Sequence, residues 1–193
     1  MNEASRQKTA HRFPGLAMAG LGLTLLGVAA WFLLSDLRAG SPLLAPEFTA
    51  VPAQVRFPAP PLRLHDLKGE EHELADYRGQ VVLVNLWATW CPPCAAEMPN
   101  LQRFYERHQV DGFSVVAIND GEPAGDVVAF VESRQLSFQV WLDPEYEATD
   151  RAFKTRNLPS SYLVDREGMV RLMWVGAISG PNLERYISPF IKE

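Results

Sequence analysis

The apolar run Val81-Val82-Leu83-Val84, continued by Asn85-Leu86-Trp87, has the length and β-branched content of a strand buried on both faces. From about residue 92 to 109 the spacing turns helical, and Phe113–Ile118 reads as a strand again. The alternation continues downstream. Val127, Val128, Phe130 and Val131 fall on a helix, Gln139–Leu142 on a strand and Ala148–Phe153 on another short helix. Ser161–Val164 and Val170–Val175 read as a hairpin around Arg166-Glu167-Gly168, and Leu183, Tyr186, Ile187 and Phe190 give a last helix one apolar face. Folding is expected to start near Leu62, where Leu62-Arg63-Leu64-His65 and His72-Glu73-Leu74 flank the turn-forming Lys68-Gly69 as a short β-hairpin. Strands alternating with helices predict an α/β domain over residues 62–193.

Two patterns of another kind precede that domain. No charged residue occurs from Phe13 to Ser35, and Gly15–Leu34 is apolar apart from Thr24. At about 1.5 Å per helical residue, those 20 residues match the roughly 30 Å of a bilayer core. Arg6, Lys8 and Arg12 precede the segment, whereas Asp36 and Arg38 follow and cancel, so the positive-inside rule keeps residues 1–12 in the cytoplasm and exports the rest. The expectation is one transmembrane signal anchor over 13–35 in the cell membrane, with the folded domain extracytoplasmic. A cleaved signal peptide is the rival, although its apolar region is normally shorter, about 7 to 15 residues, and no clear small-x-small cleavage site follows Leu34. Residues 36–61 read as an extended tether, with six prolines between positions 39 and 61.

Charge narrows the partners. Beyond Arg38 stand 14 Lys/Arg against 21 Asp/Glu, a net −7, which argues against nucleic acid. The only two cysteines, Cys91 and Cys94, lie in Trp90-Cys91-Pro92-Pro93-Cys94, at the junction of the apolar strand with the helix. There the first sulfur meets the unpaired N–H groups of the helix start, whose dipole stabilises thiolate. Cys91 is therefore the expected nucleophile. Cys94, one turn further in, is the expected resolving thiol, because it can attack a mixed disulfide on Cys91. Pro92 and Pro93 suit a first turn, where a missing N–H leaves nothing unpaired. The alternatives are a plain disulfide staple, which would close too short a loop to stabilise much, and half of a zinc site, which would need two more ligands nearby. In an oxidising compartment the pair would settle as a disulfide unless electrons arrive from elsewhere, so an electron source is implied.

The motif Asn85-Leu86-Trp87-Ala88-Thr89-Trp90-Cys91-Pro92-Pro93-Cys94-Ala95-Ala96-Glu97-Met98-Pro99, together with Leu158-Pro159-Ser160-Ser161-Tyr162-Leu163-Val164-Asp165-Arg166-Glu167-Gly168, resembles the thioredoxin family. The closer resemblance is to its membrane-anchored TlpA/ResA-type thiol-disulfide oxidoreductases, over residues 60–193. It implies a thioredoxin fold with an N-terminal β-hairpin, and the 65 positions from Cys94 to Pro159 leave room for the extra inserted helix–strand unit of that branch. It implies that Pro159 is the cis-proline beside the disulfide and that the backbone of Leu158 is free to pair with a substrate strand. By the same resemblance Glu97 tunes the cysteine pKa values or moves a proton, Trp90 shields the active site, Trp87 packs in the core, and Pro99 kinks the helix. Asn85 replaces the buried Asp of ordinary thioredoxins, which leaves proton transfer at Cys94 to Glu97 or water.

The activity implied is reduction of exported protein disulfides, apocytochrome c among them, with electrons from a transmembrane thiol-disulfide donor. No cofactor or metal is expected beyond the Cys91–Cys94 pair itself. A thioredoxin-fold copper-binding assembly module is one competing reading, but it would space its cysteines C-x-x-x-C and add a downstream histidine, and the last histidine here is His108. A thiol peroxidase is another, but it would carry Thr three residues before the reactive cysteine, where Ala88 stands. His65, His72 and His108 read as surface residues, and Asp165–Gly168 as a turn.

Overall fold

The computed structural model describes residues 51–193 and, of the preceding chain, Trp31 alone. The expected cytoplasmic N-terminus, anchor and first part of the tether otherwise lie outside the described residues. Among the described residues no helix is long and apolar enough to cross a membrane.

Residues 51–193 build a thioredoxin-like α/β fold around one mixed sheet of eight strands. Its strands are β1 (Ala53–Pro58), β2 (Arg63–Asp66), β3 (Glu71–Glu73), β4 (Val81–Trp87), β5 (Phe113–Asp120), β6 (Gln139–Asp143), β7 (Ser160–Val164) and β8 (Met169–Val175), in the spatial order β1-β8-β7-β4-β5-β6-β2-β3. The helices are α1 (Pro92–His108), α2 (Ala124–Ser133), α3 (Gly180–Tyr186) and α4 (Ser188–Lys192). Strand β4 is central: β5 lies parallel to it on one side and β7 antiparallel on the other.

All seven residues of β4 are buried, which is why its sequence does not alternate. Val81, Leu83 and Trp87 face one apolar layer, with Met98, Leu101 and Phe104 of α1 and Leu183 and Ile187. Val82, Val84 and Leu86 face the opposite layer, with Leu62, Leu64, Leu74 and Trp141. The expected hairpin is β2–β3, in which Leu64 opposes His72 and Gly69 takes a left-handed φ of 82° at the turn. Strand β2 also pairs with β6, so the hairpin extends the main sheet. Between Cys94 and Pro159 stand β5, α2, β6 and a π-helical turn at Glu147–Ala152, which supply the extra helix–strand unit.

Three elements depart from expectation. Folding starts before Leu62: β1, drawn from the segment read as tether, pairs antiparallel with β8, Ala53 opposite Met173 and Pro58 opposite Met169. It could not be recognised by apolar alternation because five of its six residues are exposed and it is held by backbone pairing, with Pro58 tolerated at the end of an edge strand. The single C-terminal helix is two, because Pro189 has no N–H to continue the ladder of α3. His72 and His108 are half-buried instead of exposed; His72 stacks on Trp141 and His108 lies against Phe104.

Strand β1 is thus a structural part of the domain. Replacing residues 53–58 with a Gly/Ser segment should remove its cross-strand pairs, about 2 kcal/mol in all, and lower Tm by roughly 4–8 °C for a domain of this size. Thermal unfolding followed by circular dichroism checks this, and an unchanged Tm would return the segment to the tether.

Candidate active site

The end of β4 and the start of α1 place the two sulfurs. Cys91 is the N-cap of α1, in an extended conformation with φ −91° and ψ 104°, and Pro92 and Pro93 fill the first turn. The two cysteines form a disulfide, with Cα atoms 5.3 Å apart. The backbone N–H of Cys94 donates to Cys91 Sγ at 3.3 Å, so the helix presents an amide as well as its dipole to that sulfur. Cys94 is fully buried and Cys91 is 4% exposed, whereas Trp90 beside them is 65% exposed. Trp87 is completely buried, its ring 5.0 Å from that of Phe130 at a tilt of 44°. Helix α1 runs on through Pro99.

Glu97, one turn beyond Cys94, is also fully buried. One carboxylate oxygen accepts from Asn85 Nδ2 at 2.8 Å and the other from the Ile178 N–H at 2.7 Å. Burial pushes this carboxyl up to about 7 from an ordinary 4.5, against the pull of the hydrogen bonds from Ile178 and Asn85. A carboxyl group that titrates near neutrality can take up or release a proton around pH 7.

Sheet register brings the second motif to the same place. Ser160 on β7 opposes Leu86 on β4, which sets Pro159 beside the strand end that leads into Cys91. The Leu158–Pro159 peptide is cis. Pro159 is buried, its carbonyl accepts from the Gly176 N–H at 2.8 Å, and the backbone of Leu158 has no hydrogen-bond partner among the described residues.

Sequence reasoning missed Glu122. Its carboxylate accepts from the Thr89 N–H at 2.6 Å, from the Thr89 hydroxyl, and from Asn119 Nδ2 at 2.6 Å. It therefore ties the loop before Cys91 to the end of β5. Gly121 beside it has φ 76°, and a Cβ there would come within 2.3 Å of the Tyr146 hydroxyl. The readable signal was Gly-Glu directly after an interior strand, a turn that aims an acid back at the sheet end.

Away from the cysteines, Asp66, Glu70 and His72 bring potential metal-ligand atoms within 4.8 Å of one another on the β2–β3 hairpin. Asp66 Oδ1 already accepts from the Lys68 and Glu70 N–H groups of the turn, which accounts for its place there. Asp165 does the same for the β7–β8 turn, accepting from the Glu167 and Met169 N–H groups.

The profile of the AhpC/TSA family matches residues 55–173, from β1 into β8 and across both motifs. The chain belongs to that family of thioredoxin-fold proteins. Within the AhpC/TSA family it is similar to the thiol-disulfide oxidoreductase ResA of Geobacillus kaustophilus, 37% identical over 129 residues, which are 67% of this chain and 74% of that protein. ResA of Bacillus subtilis is 33% identical over 130 residues, 67% of this chain and 72% of the relative. Among solved structures, a Chlorobium tepidum chain named for the thiol:disulfide interchange protein DsbE matches with TM-score 0.65 and 31% identity, over 72% of this chain and 99% of that one. StoA of Bacillus subtilis matches with TM-score 0.57 and 27% identity, over 72% and 99% of the two chains. This AhpC/TSA-family chain is a thiol-disulfide oxidoreductase of ResA type.

The raised Glu97 pKa fixes the sign of one pH effect. Between about pH 4.5 and 7 the folded protein holds this proton more tightly than the unfolded chain, so the stabilisation is complete below 4.5 and is lost as pH rises through 7. The two values differ by enough to make this worth about 3 kcal/mol. Denaturant unfolding of the oxidised protein at pH 5 and pH 8 should show wild type losing on that order more stability than Glu97→Gln over the interval. Equal losses would contradict the burial argument.

Proposed function

We propose that this oxidoreductase is a membrane-tethered, extracytoplasmic reductase of disulfides in exported proteins, apocytochrome c among its substrates, recharged by a transmembrane thiol-disulfide donor. The observation that carries the direction of attack is the Cys94 N–H aimed at Cys91 Sγ on the N-terminus of α1. In the reduced protein that amide and the helix dipole stabilise a thiolate on Cys91, which attacks one sulfur of the substrate disulfide and expels the other as a thiolate. Cys94 then loses its proton, attacks Cys91 Sγ and releases the second substrate sulfur. Two electrons pass to the substrate, its two thiolates take up two protons, and the Cys91–Cys94 disulfide is left. Glu97 serves as the proton acceptor for Cys94, since ordinary thioredoxins' buried Asp is Asn85 here. The free backbone of Leu158 before Pro159 suits a substrate strand, and the exposed ring of Trp90 precedes Cys91 in the chain.

Reduction of exported proteins is supported by the similarity to ResA and by the charge-free stretch at 13–35, with its basic N-terminal flank. Ala88, three residues before Cys91, sets this chain apart from a peroxidase arrangement, and the C-x-x-C spacing sets it apart from a copper carrier.

Two outcomes test the reading. Full-length protein should stay in the membrane fraction through high-salt and carbonate washes; soluble mature protein beginning after residue 38 would refute the anchor and leave the oxidoreductase untouched. In cells, Cys94→Ser should accumulate mixed disulfides with its substrates, because no internal thiol resolves them, and Cys91→Ser should trap at least tenfold less. Partners identified from non-reducing gels report whether apocytochromes are among them. Equal trapping by both variants would overturn the assigned roles.

A further inference from the structure

The side chain of Asn85 is the unusual polar group in this core. It is fully buried in the central strand, on the face turned toward α1, and both protons of its amide are used: Nδ2 donates to a Glu97 carboxylate oxygen at 2.8 Å and to Ser161 Oγ at 2.9 Å. Its own Oδ1 is buried with no hydrogen-bond partner among the described residues. A carboxylate only accepts, so the NH2 group has to face Glu97, and the unpartnered oxygen is what that orientation costs. Ser161, also fully buried, opposes Asn85 in the β4–β7 register and lies two residues beyond Pro159. Its hydroxyl holds the second amide proton and so fixes the rotation of the side chain.

The groups that face the carboxyl are few. From β4 comes the Asn85 amide and from the β8–α3 connection the Ile178 N–H; among the described residues no charged side chain enters the balance, and one turn back on its own helix stands Cys94. A buried acid with one donor on each oxygen has little margin. Removing either donor leaves a desolvated oxygen uncompensated and drives the proton on.

We propose that Asn85 and Ser161 form a positioning pair that sets the ionisation of Glu97, so that the proton on this carboxyl is governed from the strand that follows cis-Pro159. Asn85 takes no proton itself. It supplies a fixed donor where a second buried acid would repel the Glu97 anion, and Ser161 keeps that donor aimed. A substrate strand that pairs at Leu158 and displaces the start of β7 then acts on the same hydrogen-bond chain that ends at the carboxyl.

The inference rests on the role proposed for Glu97, but its test reads the carboxyl directly and in the oxidised protein, where neither cysteine titrates. Full-length protein in detergent, labelled with 13C at glutamate Cδ, is titrated by NMR, and the Glu97 resonance is assigned by its loss in Glu97→Gln. Asn85→Ala should raise the Glu97 midpoint by about one pH unit or more, a tenfold change in its ionisation constant. Ser161→Ala should move it the same way by a smaller step, and Ser161→Thr, which keeps the hydroxyl, should restore the wild-type value. A residue that only supports the fold would lower Tm in these variants and leave the midpoint in place. If Asn85→Ala is folded and titrates as wild type, or if Ser161→Ala and Ser161→Thr titrate alike, the pair has no such role. Should Asn85→Ala fail to fold, the two Ser161 variants decide. Unchanged disulfide reduction with the midpoints moving as expected would refute the Glu97 role and leave the pair standing.

Discussion

The burial of β4 on both faces is the constraint on which the molecule turns. Its seven residues are buried in two apolar layers and hydrogen-bonded on both edges, so neither its register nor its direction has any freedom. A buried Leu or Val contributes roughly 1.5–3 kcal/mol relative to exposure, and a slip of one residue would exchange the two faces wholesale. That rigidity is what the chemistry borrows. Cys91 is reached by continuing β4, Pro159 by entering β7 beside it, and the two motifs, distant in sequence, are set side by side by one pair of strand neighbours, Leu86 and Ser160.

Against that apolar background the polar groups near the disulfide are sparse and each has a reason. Glu97 would be intolerable as an anion in such a core without a donor on each oxygen, and it has them from two different elements. Glu122, partly exposed, instead spends its oxygens on the loop leading into Cys91. One acid is thus held near its own titration point and the other holds backbone. Ile178 and Glu122 both lie in turns that follow strands, where the sheet stops supplying hydrogen bonds to the backbone.

The features legible in the sequence are those in which pattern and chemistry coincide. An all-apolar strand running into C-x-x-C, and the Leu-Pro ahead of a later strand, declared both halves of the site, because a doubly buried strand cannot alternate and a helix-start dithiol has a narrow range of uses. Strand β1 was illegible because an edge strand with exposed side chains is specified by the backbone it meets, and the prolines in and around it, Pro52, Pro58, Pro60 and Pro61, mimic a linker. Glu122 was missed because its meaning depends on Thr89, far away in sequence. The split of the last helix could have been read from Pro189, whose effect the apolar spacing of Leu183, Ile187 and Phe190 disguised. The burial of His72 depends on Trp141, which stacks on it from a strand that only the sheet order brings near.

Strand β1 also sets where the folded domain begins. If the chain is held at the bilayer through residue 35, as proposed, 17 residues separate that point from Ala53, where β1 begins. Fully extended, 17 residues span at most about 60 Å. Under the tethering proposed above, the pairing of β1 with β8 would take up length that otherwise lies between bilayer and disulfide. Substrates and electron donor would then have to meet the cysteines within a shell bounded by that radius, so the hydrogen bonds of one edge strand would set how far from the membrane this chemistry can be done.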